Sequence, residues 1–140
     1  MILPDVNVLV YAFRPDARDH SRYRRWLNSV TNGNSLYGMS AQVLASVVRI
    51  ASNPKVCQPP TPAASVIAFA NTLLAPSNCR PLSPGPRHWE IYSDLVKSSR
   101  AQGNLTQDAW FAAIAIEYGC EWITADSDFG RFRGLRWSLL

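Results

Sequence analysis

The feature that most constrains this chain is its opening stretch, Met1-Ile-Leu-Pro-Asp5-Val-Asn7-Val-Leu-Val-Tyr-Ala-Phe13. It is a short apolar run that begins at the first residue and is broken at once by an acid. Ile2, Leu3 and the apolar residues from Val8 to Phe13 require a core, whereas Asp5 and Asn7 do not. A Val-rich run of this length reads as a buried strand passing into a turn or helix. In open α/β sheets, polar groups at the carboxyl ends of strands face the ligand crevice. Asp5 is therefore either a turn-former at a strand end or the first member of a functional cluster, and the rest of the chain has to decide between them.

The remaining segments alternate between strand and helix patterns. Asp19 to Val30 places Tyr23, Trp26, Leu27 and Val30 on one face at helical spacing, with Arg22, Arg24 and Arg25 on a solvated side. Leu36–Met39 is a candidate strand. Ser40 caps a helix running to about Ser52, with Val43, Leu44, Val47, Val48 and Ala51 as its apolar stripe. Residues 53 to 62, with four prolines, form a loop. Pro62 suits the first turn of a third helix that buries Val66, Ile67, Ala70, Leu73 and Leu74.

A short strand at Asn78–Leu82 and a helix from Trp89 to about Arg100 follow. Gly103-Asn104-Leu105 reads as a loop, with Thr106 as N-cap and Asp108 in the first turn behind it. The segment Ala109–Tyr118 is apolar nearly all round, so it is expected to be covered on several sides. Glu121–Thr124 is a strand, Asp126–Phe129 a polar turn, and Leu135–Trp137 a short last strand. The expectation is one α/β domain spanning residues 1–140, with a mainly parallel central sheet flanked by helices.

Bulk properties exclude several classes. A chain of 140 residues with 47% hydrophobic and 17% charged content is an ordinary globular domain, not a disordered one. No apolar run approaches the roughly 20 residues of a membrane span, and the N-terminus lacks a signal-peptide pattern, so a cytoplasmic protein is expected. Cys57, Cys79 and Cys120 are odd in number and widely spaced, which suits reduced thiols packed as small hydrophobes rather than disulfides or zinc ligands. His20 and His88 are too few for a histidine metal site and read as surface or helix-end residues. The net charge of +4 is carried mostly by arginine, whose fork binds two phosphate oxygens. That balance is compatible with nucleic acid.

The acids are few, which makes their positions informative. Parallel strands gather their carboxyl ends at one sheet edge, so Asp5, Asp126 and Asp128 converge if the strands ending at Asp5 and Thr124 are neighbours. Asp108, at a helix N-terminus, could join them or act only as a cap. Clustered carboxylates repel and stay ionised near neutral pH only around a cation. Oxygen-only ligands favour Mg2+ or Mn2+. The matching reaction class is phosphodiester hydrolysis. No Ser-His-Asp set, P-loop or dinucleotide fingerprint competes with it.

Three motifs then carry a resemblance. Pro4-Asp5-Val-Asn7-Val-Leu-Val-Tyr11, Thr106-Gln-Asp108-Ala-Trp-Phe-Ala-Ala and Ile123-Thr124-Ala-Asp126-Ser-Asp128-Phe129, in that order, resemble a PIN-domain ribonuclease, above all the VapC toxins of bacterial toxin–antitoxin pairs. The resemblance spans essentially the whole chain. It implies a PIN-like three-layer fold and a Mg2+- or Mn2+-dependent endoribonuclease that cuts RNA (tRNA or rRNA) with a metal-activated water. It also implies a homodimer and a cognate VapB-type antitoxin. By that resemblance Asp5, Asp108 and Asp126 are the carboxylates around the ion and Asp128 a further acid. Thr124 offers its hydroxyl to the site, and Asn7 holds Asp5 in place.

One departure matters. The family usually carries a Glu on the helix after the second strand, and Ser46 stands at the matching position here. Gln42, one turn earlier, could position a water. Arg49, three residues after Ser46, either binds substrate phosphate or pairs with a site acid, and Arg14 has the same two roles open to it. Ser46 also keeps a second reading in view: a catalytically weak RNA- or antitoxin-binding module. A third, a small-molecule phosphatase, ranks lower. Asp5-Val-Asn7 lacks a second nucleophile-pair Asp, and no lysine stands at a strand end.

Overall fold

A computed structural model describes residues 1–140. Its strands are β1 (Ile2–Pro4), β2 (Tyr37–Ser40), β3 (Cys79–Leu82), β4 (Glu121–Thr124) and β5 (Arg136–Leu139). They form one sheet in the order β3-β2-β1-β4-β5, with every pairing parallel. The helices are α1 (Val6–Phe13), α2 (His20–Thr31), α3 (Ala41–Ala51), α4 (Ala63–Leu74), α5 (His88–Ser99) and α6 (Asn104–Glu117). The chain builds outward from β1 to β2 and β3, then returns past β1 to β4. Right-handed crossovers therefore put α1–α4 on one face of the sheet and α5 and α6 on the other. The helix contacts agree: α1 packs on α2 and α3, α3 on α4, and α5 on α6.

The strand order reverses between β1 and β4. That is the topological switch point, where open α/β sheets place their ligand crevice. Ile2, Leu3 and Pro4 pair with Glu121, Trp122 and Ile123. The Asp5 N–H donates to the Ile123 carbonyl at 2.8 Å, so the register continues to the residue that ends the strand. Pro81 lies on the edge strand β3, where a missing N–H costs the ladder least.

The core follows from the apolar patterns. Helix α1 buries Val6, Val8, Leu9, Val10 and Ala12, and α6 buries Ala109 and the run Phe111–Ala115. Trp122 on β4 is fully buried. Its ring stacks on Phe111 at 5.9 Å and tilts against Phe129 at 5.3 Å. Truncating so large a buried ring costs roughly 3–5 kcal/mol. All three cysteines are buried and free, as the sequence suggests.

Three expectations need correction. Helix α6 starts at Asn104, capped by Gly103 at φ 57°. Asn104 and Leu105 are thus helical, Thr106 is not the cap, and Asp108 lies past the first turn. The Thr106 hydroxyl bonds back to the Gly103 carbonyl at 2.7 Å instead. On α4, Ile67 and Leu74 are exposed (48% and 39%), because this outer helix is covered along only one stripe. His88 does begin a helix, but it is buried (2% exposed) rather than at the surface. Its Nε2 donates to the Trp110 carbonyl at 3.0 Å, which satisfies the ring's polarity inside α5–α6 packing.

A carboxylate crevice at the switch point

Asp5 ends β1 and caps α1. Its carbonyl accepts the first helical bond, from Leu9 N at 3.2 Å, and its Oδ1 accepts from Val6 N at 2.6 Å. The turn-former reading and the functional reading are thus both open to one residue: capping explains its type, and its surroundings exceed what a cap needs. Across the switch point the Thr124 hydroxyl donates to Asp5 Oδ2 at 2.5 Å. The same Thr124 oxygen accepts from Asp126 N at 3.0 Å. Thr124 is fully buried, so its one side chain fixes two of the acids relative to each other.

Asp126 then caps the following 3-10 turn, Ser127–Arg131, accepting from Asp128 N at 2.8 Å. Asn7, expected to hold Asp5, instead accepts from Ala125 N at 3.2 Å. It holds the segment after β4, while Thr124 and Val6 hold Asp5. Helix α6 brings Asp108 across from the other face of the sheet.

These residues line one crevice of about 390 Å³: Asp5, Asn7, Ser46, Arg49, Asp108 and Asp126, closed below by Phe111 and Phe129. The aromatic floor belongs to the rigid Trp122 cluster, so the acids stand on packed core rather than on loose loop. Ser46 is half-buried in one wall and Arg49 is exposed at the rim. Gln42 does not line the crevice. Asp128 is exposed beside it, 3.7 Å from the Arg131 guanidinium.

Arg14 does not face the crevice acids. It is 7% exposed, forks onto Asp16 at 2.8 and 2.9 Å, and donates to the Pro59 carbonyl and the Thr61 hydroxyl at 2.9 and 3.2 Å. With its donors spent on the 59–61 loop, it has no fork left for substrate phosphate, and the acid it pairs with, Asp16, is not a site acid.

Electrostatics set the crevice apart. Burial, to 4% exposed, pushes the Asp5 carboxyl up to about 7. The Thr124 and Val6 hydrogen bonds oppose the rise, and the Asp108 and Asp126 charges add to it. Burial likewise pushes Asp108 up to about 6, with Asp126 and Asp128 adding and Arg131 opposing. Paired opposite charge is what normally compensates a buried acid. Around Asp5 the charged neighbours are more acids instead.

The side chains as they stand do not bring three His, Cys, Asp or Glu groups onto one point as ligands. The donor set is nonetheless all oxygen, and each carboxylate oxygen keeps lone pairs beyond its present bonds. That suits a hard cation which retains most of its water and takes one or two carboxylates directly.

Sequence reading missed Asn104 and Gln107, which line the same crevice. Asn104 and Asp108 are four apart on one helix, so a helix drawn from 104 would have placed both on one face.

A parallel sheet with acids gathered at its switch point defines a class, and residues 2–135 match the family model of the PIN domain. The chain is 40% identical over 137 residues to ribonuclease VapC43 of Mycobacterium tuberculosis (strain H37Rv), covering 98% of this chain and 93% of that protein. It is 36% identical over 138 residues to ribonuclease VapC33 of the same strain, covering 99% and 96%. This chain therefore belongs to the VapC ribonuclease family of PIN-domain proteins. Among solved structures, VapBC2 from Rickettsia felis bound to a DNA fragment from its promoter aligns with a TM-score of 0.71 at 17% identity, over 99% of this chain and 98% of that one. At that identity the likeness concerns the fold.

Proposed function

We propose that this VapC-family ribonuclease is a toxin that cuts RNA internally, dependent on Mg2+ or Mn2+ held by Asp5, Asp108 and Asp126, with Asp128 as an outer acid. The observation that supports it most is the buried Asp5 carboxyl, fixed by Thr124 and acted on by the Asp108 and Asp126 charges, with no arginine or lysine countering them at that carboxyl. A divalent cation supplies what such a site lacks, lowering the pKa of water and neutralising charge on a phosphate.

The chain's own residues do the rest. Thr124 keeps Asp5 and Asp126 in fixed relation, and the Phe111–Trp122–Phe129 stack keeps that relation rigid. Arg49 at the rim binds the RNA phosphate. Ser46 provides only a neutral oxygen, and we propose that it weakens ion binding without removing it, because three acids remain. The reading as a catalytically weak binding module is not favoured: the relatives at 35–40% identity are named ribonucleases over nearly the whole chain.

The substrate class we propose is tRNA or rRNA. Partners are a VapB-type antitoxin, in line with structural neighbours described as VapBC complexes, and a second copy of the chain as homodimer. No helix is long and apolar enough to cross a membrane, and the cytosol is the proposed compartment.

The test is incubation of total RNA with the purified, antitoxin-free protein in Mg2+, in Mn2+ and in chelator, beside Asp5→Ala. Discrete metal-dependent fragments absent from the variant are expected, and their ends identify the substrate. Intact RNA from folded wild-type protein would overturn the reading and restore the binding-module alternative.

A further inference from the structure

A second cavity, of about 300 Å³, opens beside the acid crevice and is lined by Asn7, Val10, Tyr11, Ala17, Ile50 and Val56, with Arg14 and Cys57 completing it. Asn7, Ile50 and Val56 line both spaces, so the two are adjacent. Their chemistry differs sharply. The crevice carries three acids, while the cavity carries none. Its only charged lining group, Arg14, has its fork bonded to Asp16, Pro59 and Thr61. The cavity is therefore electrically neutral toward a ligand and unsuited to a second phosphate.

Its walls are the apolar faces of Val10, Ala17, Ile50 and Val56, with one aromatic ring, Tyr11. That ring is braced edge-on by Tyr23 at 5.1 Å. The polar groups are sparse. Asn7 Oδ1 is taken by Ala125 N at 3.2 Å, which leaves its Nδ2 amino group to donate. Small ligand sites have this composition: concave, mostly apolar, with few convergent polar groups, and this volume lies at their lower bound. Val56, 61% exposed although apolar, lines both spaces.

We propose that this cavity is a nucleobase subsite, holding the base next to the phosphate bound at the acid crevice. The inference rests on the ribonuclease reading and deepens it by assigning where sequence preference arises. A base is neutral, planar and apolar on its faces, and it is covalently tied to the phosphate next door, so an apolar space directly beside the acid crevice is what an RNA strand needs. Stacking on Tyr11 would be tolerant of base type. The Asn7 amino group adds discrimination, favouring a base edge that accepts a hydrogen bond, such as guanine O6 or uracil O4, over one presenting only an amino group.

The test fills the cavity without touching the acids. Ala17 is half-buried on its wall, and Ala17→Phe places a ring where the base would lie. Sequencing of cut ends from a randomised single-stranded RNA pool should show a base preference at one position flanking the cut for wild type. In Ala17→Phe that preference should be lost, with kcat/KM down about tenfold or more and an unchanged Mg2+ midpoint. Unchanged preference and rate would overturn the subsite. So would a variant that cuts like wild type but binds its antitoxin less tightly, since that reassigns the cavity to an antitoxin side chain.

Cys57 gives a readout independent of cleavage, because it lines the cavity while Cys79 and Cys120 do not. With Mg2+ present, at least one of the four common nucleoside 5′-monophosphates should slow its alkylation, followed by mass spectrometry, and inorganic phosphate should not. Protection in a protein that cuts no RNA keeps the subsite and removes the ribonuclease reading. Cleavage without protection and with unchanged preference removes the subsite and keeps the ribonuclease.

Discussion

Helix α1 has a buried charged side chain at each end, and the protein treats the two in opposite ways. At its C-terminal end, Arg14 is surrounded by acceptors: two oxygens of Asp16, one carbonyl and one hydroxyl. At its N-terminal end, Asp5 receives two hydrogen bonds but faces further carboxylates. A buried charge with a full set of partners is a structural fastener. One left short of countercharge costs stability and persists where a ligand completes it. The contrast separates fold from function along eight residues of helix.

The largest expected effect comes from removing the uncompensated charge. Asp5→Asn keeps the shape and one good acceptor, so it should fold, yet cleavage should fall at least about a hundredfold. Retained cleavage would erase the distinction between the two ends of α1.

The same substitution should raise stability in metal-free buffer. The folded pKa of Asp5, about 7, lies above its ordinary 3.8. Its contribution to stability is therefore fully present below about pH 3.8 and is lost as pH rises through 7. At pH 8, Asp5→Asn should be more stable than wild type by about 2–4 kcal/mol, and the gap should narrow at pH 5 and close only below about pH 3.8. Denaturant melts at both values check this; a variant less stable than wild type at pH 8 would contradict it.

Arg14→Met tests the opposite end. Losing four charge-assisted bonds should destabilise by about 2 kcal/mol, or roughly 5 °C in Tm, with cleavage per folded molecule near wild type at low temperature. A specific loss of RNA binding would show that the Arg14 charge acts on substrate phosphate after all.

Smaller effects sharpen the acid end. Ser46→Glu adds a carboxylate to the crevice wall and should tighten Mg2+ roughly tenfold in a titration. No change would mean that Ser46 does not face the ion. Arg49→Gln should weaken RNA binding severalfold and reduce the salt slope by about one. An unchanged slope would move Arg49 out of the phosphate path.

Much of the site was legible because its geometry is set by short-range features. Asp5 follows directly on β1 and Asp126 lies two residues beyond β4, and parallel pairing of β1 with β4 brings such ends together. What the chain hid depends on distant partners. Arg14 resembles any exposed arginine until the loop at Pro59 and Thr61, more than forty residues later, closes over it. His88 looks like a surface helix-start until Trp110 supplies an acceptor inside. Helix α6 begins early because Gly103 takes a positive φ and still starts a helix, a backbone choice that the loop-like Gly-Asn pair does not disclose. Asn7 supports the segment after β4 rather than Asp5, and nothing in the local spacing distinguishes the two roles.

The most direct measurement is the effect of Mg2+ on Tm at pH 8, in wild type and in Asp5→Asn. If a divalent cation completes the acid crevice, saturating Mg2+ raises the Tm of wild type by several degrees and leaves Asp5→Asn nearly unmoved, with the wild-type effect shrinking as the pH falls below 6. Equal shifts in both proteins, or none in either, would contradict the claim that the uncompensated charge at Asp5 is held there for a metal.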